Sequence, residues 1–154
     1  MESTHKESEF INFLLVEDDD DHATLVKRTL GTHRITNKVI HVNDGAEALK
    51  YLKRQDNYKD SAEPNVIILD LNLPKMSGHQ VLKEIKTDPK FRHIPVVVLT
   101  TSDIDIDREQ AYREHANSYL VKPLDFKTFE HMVNELILYW GIVNAAPKKR
   151  KGKP

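Results

Sequence analysis

The stretch LLVEDDDDH, residues 14–22, sets an apolar run directly against five carboxylates, Glu17 to Asp21. The run reaches back through FINFLLV (10–16) and is continuous rather than alternating. Strands read this way when helices cover both faces of their sheet. A helical pattern follows at once, with Ala23, Val26 and Leu30 on one face over residues 20–30. A buried strand, an acidic turn and an amphipathic helix therefore make the first unit of the chain.

The unit recurs. VIILDL (66–71), VVVLTT (96–101) and SYLV (118–121) read as buried strands, and NKVIHV (37–42) as a weaker one. Between them, DGAEALKYLKR (44–54) spaces Ala46, Leu49 and Leu52 as a helix, with Asp44 as its N-cap. GHQVLKEIKTD (78–88) carries Val81, Leu82 and Ile85. IDREQAYREHA (106–116) follows Asp103 or Asp105 as cap. DFKTFEHMVNELILYW (125–140), capped at Asp125, has an apolar stripe of Phe126, Phe129, Met132, Val133, Leu136 and Ile137. Asp20 is the expected cap of the first helix, with Asp19 and Asp21 beside it where negative charge favours a helix start. Five β-α units predict an α/β fold: a doubly wound, five-stranded parallel sheet with helices on both faces. They are too few for an eight-fold barrel.

Size and composition bound the function. A chain of 154 residues suits one domain with a substantial core. Its expected parts are a flexible N-terminus (1–9), a globular domain (10–140), and a C-terminal extension with a basic tail (141–154). That tail, APKKRKGKP (146–154), is expected to be solvated. A net charge of −1 gives no overall pull toward nucleic acid or an anionic membrane. With no cysteine, disulfides, thiolate zinc sites and a cysteine nucleophile are excluded. No apolar run is long enough to span a membrane, and the start, MESTHKESEF, lacks a secretory apolar region. A cytoplasmic protein is expected.

In open α/β sheets, ligands bind beyond the carboxyl ends of the strands. Glu17 and Asp18 end the first strand, Asp70 the third, Thr100 the fourth and Lys122 the fifth. Acids, a hydroxyl and an ammonium should thus meet on one rim. A nucleotide phosphate would face those carboxylates without a glycine-rich turn, which is electrostatically wrong. Clustered oxygen donors suit a hard divalent cation, Mg²⁺ above all. Asp70 could then serve as a nucleophile toward a phosphoryl group, forming an acyl phosphate. Lys122 could pair with a phosphoryl oxygen and Thr100 hydrogen-bond another. A Ca²⁺-binding EF-hand loop in DDDDH fails: counted from Asp18, Ala23 stands where glycine is needed and Thr29 where a bidentate glutamate is needed.

On these residues the chain resembles the receiver domain of two-component response regulators. The matching pieces are LLVEDD (14–19), NDGAEAL (43–49), IILDLNLPKMSG (67–78), IPVVVLTTS (94–102) and SYLVKPL (118–124). The spacing of Asp70, Thr100 and Lys122 also fits. The resemblance implies a flavodoxin-like sheet of strand order 2-1-3-4-5. It implies Asp70 as the phosphoacceptor, fed by the phosphohistidine of a sensor histidine kinase. Asp18 would ligate Mg²⁺ directly, Glu17 through a water, and Asn72 through its backbone carbonyl. Thr100 and Tyr119 would form the switch pair, Lys122 would contact the phosphoryl group, and Pro123 would fix the following turn through a cis peptide. Glu17 stands where many receivers have Asp; it keeps the charge and reaches further.

The kind of regulator is also suggested. The last helix pattern ends near Tyr139, leaving about 15 residues, too few for a DNA-binding domain. Output is therefore expected through protein contact, by a stand-alone regulator or a phosphorelay intermediate. RQDNYKDSAEPNVIILDLNLPKMSG (54–78), IPVVVLTTSDIDID (94–107) and LYWGIVNAAP (138–147) look like the single-domain regulators paired with phytochrome histidine kinases. That resemblance implies a homodimer through the fourth helix, fifth strand, fifth helix and C-terminal extension, with Tyr139, Trp140 and Ile142 in contact. The residues agree, since Ile137, Leu138, Tyr139, Trp140, Ile142 and Val143 are more apolar surface than one helix stripe buries. Trp140 folding back on its own core is the alternative. Two other classes compete. An aspartyl-nucleophile phosphatase usually carries a second Asp two residues on, where this chain has Asn72. A binding module that is never phosphorylated usually lacks the acceptor or the lysine, and both are present.

Overall fold

Val66–Leu69 and Val96–Thr100 are buried from end to end, as central strands of a helix-covered parallel sheet must be. They are β3 and β4 in a computed structural model that describes residues 10–34 and 36–143. β1 is Ile11–Val16, β2 is Thr36–Val42 and β5 is Ser118–Val121. All neighbouring pairs are parallel, in the order β2-β1-β3-β4-β5. The helices are α1 (Asp20–Gly31), α2 (Gly45–Leu52), α3 (Gly78–Thr87), α4 (Asp105–Arg113) and α5 (Phe126–Leu138). A 3₁₀ turn, Asp56–Tyr58, lies between α2 and β3.

Alternation along the strands divides the core into two layers. Leu14, Val16, Ile67, Leu69, Val96 and Val98 face α2, α3 and α4. Phe13, Leu15, Val66, Ile68, Val97 and Leu99 face α1 and α5, meeting Ala23, Val26, Leu30, Phe129 and Val133. Two glycines set the helix distances. A Cβ on Gly45 would lie 2.3 Å from Val81 Cγ2, so α2 and α3 touch there. A Cβ on Gly78 would lie 2.4 Å from the Asp70 carbonyl oxygen, so the start of α3 presses on the end of β3.

Several local expectations need correction. Asp19, rather than Asp20, caps α1: its Oδ1 accepts the His22 N–H at 3.0 Å. Glu17 Oε2 accepts the Asp19 N–H at 3.1 Å, which turns the chain early enough for the Asp19 carbonyl to open the helix. On α2 the buried side is Gly45, Ala48, Tyr51 and Leu52, whereas Ala46 is exposed. The close Gly45–Val81 approach selects that side. Neither Asp103 nor Asp105 caps α4; Ile104 holds the cap position without a side-chain bond. Both acids pair with Arg108 instead. Caps at Asp44 and Asp125 are as expected. Phe126 leaves the stripe and is exposed at the rim.

Among the described residues no peptide is cis, so the Lys122–Pro123 bond is trans. Trans is the form favoured by about 0.5–1 kcal/mol for X–Pro. Helix α5 passes into a π-helical turn, Tyr139–Val143. There Trp140 packs half-buried against the layer under α1 and α5, while Leu138 and Tyr139 are exposed. The proposed ends of the chain, 1–9 and 144–154, and the side chain of Ile142 lie outside the described residues.

Candidate functional site

Parallel strands place their carboxyl ends on one rim, and the polar residues there are brought in by the main chain. The Asp70 N–H donates to the Val16 carbonyl at 3.1 Å, which locks the acid beside the end of β1. The Glu17 N–H donates to the Val42 carbonyl at 3.0 Å, and His41 Nε2 donates to the Glu17 carbonyl at 2.8 Å. The Lys122 N–H donates to the Thr100 carbonyl at 2.7 Å. The three side chains that meet are all buried: Glu17 is 2% exposed, Asp70 6% and Lys122 5%. Lysine is almost never buried without a partner. Here Lys122 Nζ donates to Glu17 Oε1 at 2.7 Å, to Asp70 Oδ2 at 3.0 Å and to His22 Nδ1 at 2.9 Å. The Asn72 N–H donates to Asp70 Oδ1 at 3.1 Å.

The carboxylates strain against each other. Burial, and then the charge of Asp70, push the Glu17 carboxyl up from 4.5 to about 7, against the opposing pull of Lys122. One ammonium does not fully offset two buried acids.

Thr100 is fully buried, with its hydroxyl 3.5 Å from Asn72 Nδ2 and 3.4 Å from the Ser102 N–H. The Tyr119 hydroxyl bonds elsewhere. The Tyr119 hydroxyl donates to the Ser102 carbonyl at 3.0 Å, and Arg108 stacks over its ring at 5.3 Å. The Ser102 hydroxyl donates to Asp107 Oδ2 at 2.5 Å, and Asp107 Oδ1 meets His79 Nε2 at 3.2 Å. Those two bonds hold the Asp107 carboxyl below its usual range. A polar chain thus links Tyr119, the loop after β4, α4 and α3. Asp18 and Asn72 are exposed at the rim, and Pro123 is half-buried in the turn below Lys122. Tyr139 and Trp140 lie at the far end of α5, roughly 20 Å along the helix axis from the rim.

The strand ends read from the sequence bring Glu17, Asp70, Thr100 and Lys122 together, and Ser102 also stands out there, two residues after Thr100; His22, His41 and Asp107 were not among the expected site residues. His22 was open to detection: with Asp19 as the cap, residue 22 falls in the first helical turn, over the end of the strand. Among the described residues no three His, Cys, Asp or Glu side chains stand in metal-holding geometry, so Asp18 is not drawn into one cluster with Glu17 and Asp70. Mg²⁺ does not need such a cage, because it binds through one or two carboxylates and keeps several waters. The all-oxygen donor set and the excess acid beside Lys122 fit such an ion.

A parallel 2-1-3-4-5 sheet with buried acid, lysine and threonine at its carboxyl rim is that of a receiver, and the chain belongs to the response regulator receiver domain family, whose model matches residues 13–134. Among its relatives, the response regulator Rcp1 of Synechocystis is 43% identical over 82% of this chain and 86% of its own length. The probable methanogenesis regulatory protein FilR2 of Methanothrix harundinacea is 44% identical over 87% of this chain and 86% of its own. Among solved structures, the phosphorylated cyanobacterial phytochrome response regulator RcpA superposes with a TM-score of 0.87 at 35% identity, covering 90% of this chain and 99% of that one. The Mn²⁺-bound form of Rcp1 gives 0.85 at 41% identity, covering 89% and 99%. Among the described residues no helix is long and apolar enough to cross a membrane.

Proposed function

We propose that this chain is a phosphoacceptor switch, a stand-alone cytoplasmic response regulator served by a sensor histidine kinase of the phytochrome type. The observation that carries the reading is the buried Glu17–Lys122–Asp70 arrangement at the carboxyl rim. Glu17, Asp18, Asp70 and the Asn72 carbonyl would hold Mg²⁺. When bound, the ion neutralises charge on the transferring phosphoryl group.

The chain's own residues do the rest. An Asp70 carboxylate oxygen attacks phosphorus. The new O–P bond forms as the bond from phosphorus to the donor's nitrogen breaks, and the leaving imidazole takes the electron pair and a proton. Lys122 passes one N–H from Asp70 Oδ2 to a phosphoryl oxygen. The Thr100 hydroxyl turns toward another and pulls on the loop that follows it. Because the Tyr119 hydroxyl is tied to the Ser102 carbonyl in that loop, the pull reaches Tyr119 and the α4–β5–α5 face. Phosphorylation adds nearly two negative charges, enough to shift a two-state equilibrium separated by a few kcal/mol.

That face is the proposed contact surface. α4 buries only Ala111 and exposes Ile106 and Tyr112, β5 is an edge strand paired among the described residues with β4 alone, and Leu138 and Tyr139 are exposed at the end of α5. A homodimer through it is our reading. Turnover of small phosphate esters is not, because Asn72 stands where aspartyl-phosphate enzymes place a general acid. The test is incubation with Mg²⁺ and acetyl phosphate followed by intact mass. A single phosphoryl adduct, lost in Asp70→Asn, supports the reading, and no adduct in the wild type refutes it.

A further inference from the structure

An ammonium has three protons and no lone pair, and Lys122 directs all three at acceptors within 3.0 Å: Glu17, Asp70 and His22. The first two belong to the acid site. His22 comes from α1 and has no part in the mechanism described above. Since Lys122 can only donate, His22 Nδ1 accepts, and the ring proton sits on Nε2. The imidazole is well held. Its own backbone N–H donates to the Asp19 cap at 3.0 Å. Its ring stands edge-on to Phe129 at 5.5 Å and to Phe126 at 6.5 Å.

We infer that His22 is a positioning residue for phosphoryl transfer: it holds the Lys122 ammonium toward α1, so that the cation does not close down on the Asp70 oxygens that must attack. The inference rests on Asp70 being the phosphoacceptor. Two carboxylates alone would leave one Lys122 proton without a fixed acceptor in a buried place, where that deficit is expensive. The ammonium would then tighten on the acids and mask the nucleophile. With His22 and Glu17 each keeping one proton, the third is free to move from Asp70 Oδ2 to the incoming phosphoryl oxygen, and the ammonium stays satisfied throughout. Buried Phe129 backs one side of the ring.

The test compares wild type, His22→Leu and His22→Asn. Asn offers an acceptor oxygen near the Nδ1 position, and Leu offers none. Each is phosphorylated with acetyl phosphate over a range of Mg²⁺ concentrations, and the adduct is followed by mass. The maximal rate of His22→Leu should fall about tenfold, the loss of one hydrogen bond to a charged group. Its half-saturating Mg²⁺ should stay near that of the wild type, and His22→Asn should recover most of the rate. The ¹⁵N–¹H signal of the Lys122 ammonium should be visible in wild type and His22→Asn and lost to solvent exchange in His22→Leu. Equal maximal rates in Leu and wild type, equal slowing in Leu and Asn, or an ammonium signal unchanged in Leu would overturn the inference. A wild type that takes no phosphoryl group overturns the Asp70 reading itself, and the ammonium signal still decides whether His22 holds Lys122.

Discussion

Glu17 concentrates the electrostatics of the site in one side chain. Its folded-state carboxyl is raised to about 7 from an ordinary 4.5. A raised acid contributes stability that is fully present below the unfolded value and lost as pH climbs through the folded one. The metal-free protein should therefore weaken between about pH 4.5 and 7. Mg²⁺ needs the ionised form, so its stabilisation should grow over the same window. At a Mg²⁺ concentration about 100 times its dissociation constant at pH 8, we expect the melting temperature to rise by roughly 5 °C or more at pH 8, and by much less at pH 5 at that same concentration. Calorimetry in EDTA and in Mg²⁺ checks this, and a shift that is flat with pH would count against it. The sequence showed Glu17, Asp70 and Lys122 because strand ends are legible from apolar runs. It did not show His41, because a contact from an edge strand depends on how that strand packs across the rim, and His22 was legible only once Asp19 rather than Asp20 is taken as the cap of α1.

Among the elements, the junction of β3 with α3 is closed by backbone against backbone. Gly78 donates its N–H to the Leu71 carbonyl at 3.0 Å, and a Cβ there would press on Asp70's own backbone. Backbone cannot yield as a side-chain tip can. Gly78→Ala should cost about 1–3 kcal/mol and shift the strand end that bears Asp70. Denaturant unfolding measures the cost; a neutral result would mean that the junction has slack. The helix and strand spans were legible here because VIIL and GHQVLKEIKT have different apolar periods. Cap identities were less so. Asp19 prevailed over Asp20 through a bond to Glu17, and Asp103 and Asp105 were drawn to Arg108. These are competitions between neighbouring acids that residue type alone does not resolve. On α2, apolar spacing placed Leu49 and Leu52 correctly against the core, but the Gly45 approach turns Ala48 rather than Ala46 inward.

For the whole molecule, the open question is which surface meets another copy or a partner. The apolar cluster at the end of α5 was visible in the sequence, but its division was not: Trp140 packs on the protein's own core, and Leu138 and Tyr139 remain outside. Trp140→Ala should therefore lower stability, whereas Tyr139→Ala should leave the melting temperature within a few degrees and shift the proposed dimer toward monomer in sedimentation velocity. An unchanged dimer fraction in Tyr139→Ala would remove the C-terminal turn from the interface. The account as a whole depends on phosphoryl chemistry at one carboxylate. Borohydride reduces an aspartyl phosphate to homoserine, so treatment after acetyl phosphate and Mg²⁺, followed by peptide mapping, locates the acceptor. Homoserine at position 70, with Asp18 and Asp19 intact and Glu17 not reduced to the corresponding longer alcohol, is the predicted result. An unmodified Asp70, or label on another acid, would contradict it.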